Sequence, residues 1–114
     1  MPRYAITDFQ PKLRTLLADH GWVIEHEQPC RNNQWFLSIW RVRSRWSGAN
    51  VQLYLAFEFD DHFCWVAIAA DEPHDHTSTY WQGERLYLKR NWERDLPAFL
   101  ATLEHLRQQF AQRE

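Results

Sequence analysis

The chain has 114 residues, 45% hydrophobic and 25% charged, which is ordinary globular usage and enough apolar material to offset the entropy of ordering one α+β domain over residues 1–114. A formal net charge of −2 removes the basic excess that general nucleic-acid binders carry, and no apolar run approaches the ~20 residues a membrane-spanning helix needs. Three Gly leave little room for a phosphate-cradling loop, and two Cys do not make a disulfide framework.

The opening MPRYAITD lacks the charged start and apolar stretch of a secretory signal, so a cytoplasmic location is expected. The first helix is expected over 9–20. Thr7 and Asp8 are its candidate caps, and Pro11 falls in the first turn, where a missing N–H does no harm. Phe9, Leu13, Leu16 and Leu17 recur on one face, and Gly21 follows where helices commonly stop in the left-handed conformation.

Strand candidates come next: 22–28 (WVIEHEQ), ended by Pro29; 35–43 (WFLSIWRVR), apolar on both faces; 51–60 (VQLYLAFEFD), with the cleanest alternation; and 63–70 (FCWVAIAA), which suits a central strand. The last two read as a hairpin turning within 60–62. Segment 79–88 is either a final strand or a hairpin around 82–84. A closing helix is expected from Asp95 to Gln112, with Asp95 as N-cap, Pro97 in the first turn, a possible backward extension over 91–94, and an apolar stripe from Leu96 to Phe110. The order is therefore N-terminal helix, antiparallel meander of four to five strands, C-terminal helix, with sequence neighbours paired in space.

A turn within 44–50 pairs Val42 with Leu53 and Trp40 with Leu55. Phe36, Ser38, Trp40 and Val42 then share a face with Leu53, Leu55 and Phe57, and a two-residue turn at Asp60 and Asp61 adds Cys64, Val66 and Ile68. The opposite face holds Trp35, Leu37, Ile39, Arg41, Arg43, Tyr54 and Trp65, too apolar for a solvated sheet. One helix on each face would make these residues core. A face left open would make them a binding surface.

Few residues suggest chemistry. The DEPHDH segment at 71–76 offers His74 and His76 as candidate ligands for a divalent metal, but without Cys ligands or a second histidine motif it reads first as a solvent loop. Arg41, Arg43 and Arg45 alternate along one strand beside Trp46, and Arg85, Lys89, Arg90 and Arg94 form a later basic group. Arginine beside aromatics suits single strands of nucleic acid, an acidic protein or a bound anion equally. Cys64 lies in an apolar run, Cys30 has no histidine placed to activate it, and no nucleophile or nucleotide motif is present.

The helix–meander–helix order resembles small bacterial secretion-chaperone and immunity-protein architectures, a likeness of architecture alone that implies a protein partner. The expectation is a non-enzymatic protein-binding module, acting on a dedicated partner or as a homodimer, without cofactor. A small-ligand or divalent-metal-binding domain is the alternative, and single-stranded nucleic-acid binding through the arginine stretch comes third.

Overall fold

The computed structural model describes residues 9–30, 36–46, 49–59, 64–71, 81–89 and 91–111. Seven elements follow in order: α1 (Gln10–Asp19), β1 (Val23–Pro29), β2 (Phe36–Trp46), β3 (Ala49–Phe59), β4 (Cys64–Ala69), β5 (Trp81–Tyr87) and α2 (Trp92–Ala111). The strands form one antiparallel sheet in the order β1-β2-β3-β4-β5, so every pairing joins neighbours along the chain. No described helix is long and apolar enough to cross a membrane.

α1 forms because Leu13 and Leu17, four apart, bury their side chains completely. Thr7 and Asp8, the expected caps, lie outside the described residues; the helix is preceded by Phe9, which makes no side-chain cap bond. Gly21 ends it at φ +84°, and the Trp22 N–H bonds back to the Leu17 carbonyl. α2 begins a turn earlier than Asp95. Trp92 drives this extra turn by packing its ring at 86° against Phe9, centroids 5.3 Å apart. Asp95 and Glu93 instead place negative charge in the first helical turn, and Pro97 sits inside the helix, where its missing N–H forfeits one intrahelical bond.

The register of β2 on β3 is the expected one, with Trp40 opposite Leu55 and Val42 opposite Leu53. The turn is much tighter than 44–50, since pairing continues to Trp46 and Ala49. Between β3 and β4 the pairing ends at Phe59 and Cys64, so residues 60–63 separate them, not a two-residue turn at Asp60 and Asp61. The difference is an even number of residues, so Cys64, Val66 and Ile68 still reach the expected face. Segment 79–88 supplies one strand, not a hairpin, although its pairing is irregular between Val66 and Ile68, opposite Gly83.

Both helices lie on the same side of the sheet. Leu13 and Leu17 of α1 and Phe99, Leu103 and Leu106 of α2 join Trp40, Leu53, Leu55 and Phe57 in one core cluster. Each such burial contributes about 1.5–3 kcal/mol. The arrangement with one helix on each face is therefore overturned. Lys12 of α1 pairs with Glu93 at the start of α2, while the carbonyl of His20, after α1, meets Arg107 near the end of α2. Start lies by start and end by end, so the helices run in the same direction.

Arg107 fixes that alignment. It is 9% exposed, and its Nη1 donates to the His20 carbonyl at 2.8 Å and to the Ser44 hydroxyl at 2.9 Å. Its guanidinium also lies 5.3 Å from the Trp22 ring and pairs with Glu104. One side chain thus ties α1, β2 and α2 together, and burial lowers its pKa from the ordinary arginine value.

Candidate functional site

The helix-free face is shaped by two β-bulges. In β2, Phe36 pairs with Glu58 and Ser38 with Phe57, which leaves Leu37 as the extra residue. Alternation is interrupted there. Phe36, expected on the helix side, joins Ile39 and Ala56 on the opposite face, while Leu37, expected among the binding residues, packs against the main core. In β1, Ile24 pairs with Val42 and His26 with Arg41, so Glu25 is the extra residue. Ile24 packs on the core, Glu27 reaches Arg14 of α1, and Glu25 and His26 both fall on the helix-free side.

Two halves result. Toward β4 and β5 the face is closed: Phe36, Ala56, Glu58 and Ala67 are at most 2% exposed. Trp65, 9% exposed, donates from Nε1 to the Glu58 carboxylate at 2.9 Å. Tyr87 and the Arg85 guanidinium lie on its ring, at 5.6 and 5.3 Å. A buried carboxylate needs such donors, because desolvation without them costs several kcal/mol.

Toward β1 the face is polar. His26, Arg41 and Tyr54 stand opposite one another across three strands. Beside them runs a directed hydrogen-bond chain. Arg43 Nε donates to Glu25 Oε1 at 2.9 Å, Arg43 Nη2 to Gln52 Oε1 at 3.0 Å, and Gln52 Nε2 to the Tyr54 hydroxyl oxygen at 3.1 Å. Arg41 is held less tightly. Its Nε is 3.7 Å from Glu25 Oε1, beyond hydrogen-bonding range, and is buried without a hydrogen-bond partner among the described residues. A hollow of about 50 Å³ opens here, lined by His26, Gln28, Ile39, Arg41 and Tyr54.

Of the residues expected to form the binding surface, Arg41, Arg43 and Tyr54 come together. Ile39, 8% exposed, floors the hollow; Trp65 belongs to the closed half; Leu37 turns to the core. Trp35, His74 and His76 lie outside the described residues, and no metal-ligating group of three is found among the described ones. Glu25, His26 and Gln28 were missed because nothing in WVIEHEQ marks a bulge. Of the later basic group, Arg85 lies on Trp65, Lys89 follows β5 and Arg94 belongs to α2, none of them at this site, while Arg90 lies outside the described residues.

A larger cleft, about 730 Å³, runs between β5 and α2 past Arg85, Tyr87, Asp95, Phe99 and Thr102. The Thr102 hydroxyl donates to the Ala98 carbonyl at 3.1 Å. Burial raises the Cys30 thiol pKa from its ordinary value, and Cys64 is 2% exposed. Compared with protein-family models, curated proteins and solved structures, the chain matches none of them.

Proposed function

We propose that the chain is a non-catalytic protein-binding domain that meets an acidic partner through the helix-free face, around Arg41, Arg43 and Tyr54. The observation that carries this reading is that both helices pack on one side, while the other side presents an arginine-bearing network held at fixed geometry. Ordering these side chains before contact lowers the entropy a partner must overcome. Sheet extension is a poor alternative. β1 carries a bulge, charged residues and a terminal Pro29, all of which blunt strand addition, and β5 lies against α2 at Gly83 and Thr102. A two-fold homodimer through this face would set the patch of Arg41, Arg43 and Glu25, with its excess of positive charge, against an identical patch, which favours a different, acidic protein. A thiol shifted upward and a thiol buried in the core fit a non-catalytic role.

A photo-crosslinking residue at position 54, compared with one at exposed His105 on α2, tests the reading in cells of the source organism. The expected result is an adduct from position 54 that disappears in the Arg41→Glu, Arg43→Glu double variant. Adducts from position 105 alone would overturn it. An adduct of twice the chain's own mass would replace the acidic partner with a second copy. A small-ligand reading rests on the β5–α2 cleft, whose volume is in the range of small-molecule sites. A saturable ligand shift of Phe99 and Thr102 resonances would favour it.

A further inference from the structure

We propose that the hollow between β1, β2 and β3 is a carboxylate-recognition site, taking one Asp or Glu side chain of the partner. This rests on the reading of the helix-free face as the binding surface and names the chemistry it selects. The argument begins with the direction of the hydrogen bonds. Arg43 Nη2 is only a donor, so the Gln52 oxygen must face it, which turns the Gln52 amide nitrogen toward Tyr54. The Tyr54 oxygen therefore accepts, and its own proton is left to donate. Arg41 carries donors only; its Nε is shut off from solvent, and its side chain, 42% exposed, offers the terminal nitrogens to a ligand. Gln28 adds an amide that can donate. The lining thus presents donors from three strands around a floor formed by Ile39.

Size and charge select among anions. The hollow of about 50 Å³ is suited to a small polar group. Glu25 lies beside it, 2.9 Å from Arg43 Nε and 3.7 Å from Arg41 Nε. Two arginines against one carboxylate leave one positive charge to be met. A carboxylate monoanion meets it, whereas a phosphate dianion would set its second charge against Glu25. The planar guanidinium of Arg41 suits a planar carboxylate, which it can hold through two parallel N–H bonds.

The test is a titration of the full chain, at ~20 mM salt to limit screening, followed through the Arg41 side-chain Nε–H resonance and, in every variant, the side-chain amide resonances of Gln28 in the same lining. The probes are the blocked peptides Ac-Gly-Glu-Gly-NH2 and Ac-Gly-Gln-Gly-NH2, sodium acetate and inorganic phosphate. A saturable shift with the Glu peptide and none with the Gln peptide is expected, weakened about tenfold in Arg41→Lys, which keeps the charge but loses the fork. Tyr54→Phe, removing the other donor, should weaken it severalfold. Acetate should bind about as tightly as the Glu peptide, since both offer the same group, whereas acetate binding about tenfold or more tightly would assign the site to free small carboxylates and overturn the partner's side chain as its occupant. Phosphate binding more tightly than either would overturn the carboxylate assignment, and an Arg41 resonance unmoved by any probe would overturn the site. If the position-54 adduct persists while the titration fails, the face binds its partner by other contacts, so the two failures are distinguishable.

Discussion

Replacing Arg107 by Met keeps most of the aliphatic stem and removes the guanidinium. Three losses follow. The Ser44 hydroxyl, in a residue 3% exposed, loses its 2.9 Å donor, and the carbonyl of His20 loses its 2.8 Å one. A hydrogen bond from a charged donor is worth about 1.5–3 kcal/mol net. The contact with the Trp22 ring adds about 0.5–2 kcal/mol. Relief of the guanidinium's own desolvation works the other way, and Glu104, on the surface side, regains water at little cost. The balance is a destabilisation of about 3 kcal/mol, a large share of the 5–15 kcal/mol typical of a domain. Urea unfolding followed by tryptophan fluorescence should show a lower midpoint at unchanged slope, and thermal unfolding should drop by roughly 12 °C. Arg107→Lys, which keeps the charge but whose shorter side chain stops about one bond short of the Nη1 position, should lose about half as much. Ser44→Ala added to Arg107→Met should restore about 1 kcal/mol by removing the orphaned hydroxyl. A loss below about 1 kcal/mol for Arg107→Met would show that desolvation had cancelled the bonds, and the clamp argument would be wrong.

Gly83→Ala should destabilise by roughly 1–3 kcal/mol, because φ is +70° and the new Cβ would lie 2.6 Å from Thr102 Cγ2; adding Thr102→Ala should relieve the clash but not the backbone strain, which a double-mutant cycle in urea would separate. Trp65→Phe should cost about 1–3 kcal/mol, since it removes the indole donor from the buried Glu58 carboxylate, and equal stability would show that this bond is unimportant. Alkylation at Cys30 should keep accelerating with pH after a free thiol has levelled off, because burial raises its pKa. The unfolded thiol ionises first, so its contribution to folding is present below the ordinary thiol range and falls as pH climbs through it; an alkylation profile matching that of free cysteine would contradict the shift. Cys64 should react at least about a thousandfold more slowly than Cys30 at the same pH, because reagent must wait for the core to open.

How far the sequence could be read depends on parity. The alternation of Val51, Leu53, Leu55 and Phe57 assigned one face to the core, and the pairing of Trp40 with Leu55 followed. Even the misjudged β3–β4 connection did no harm, since an even slip preserves the face. An insertion of one residue does not. The bulges at Glu25 and Leu37 each carry a single extra residue and neither is marked by Gly or Pro, so Phe36 and Leu37 exchanged faces and Glu25 joined His26 unseen. At β5, Gly83 did mark its irregularity. The side on which the helices pack was hidden for another reason. An amphipathic stripe says that a helix needs a partner but not which one. What settles it includes Arg107, a charged residue on the core-facing side of α2 whose bond partners lie 63 and 87 positions away.

The neighbour-to-neighbour strand order also bears on kinetics. Every strand pairing closes a short loop, so the sheet can assemble stepwise through local contacts, at low entropic cost. The contact of α1 with α2 is the distant one, and it closes nearly the whole described chain into a single loop. The expected order is then that α2 docks beside α1 late, after the rate-limiting barrier. Interactions made there set how long the native state survives and leave the speed of its formation nearly untouched. Removing the Arg107 guanidinium should therefore steepen the loss of native protein with time while refolding from urea proceeds at the original rate.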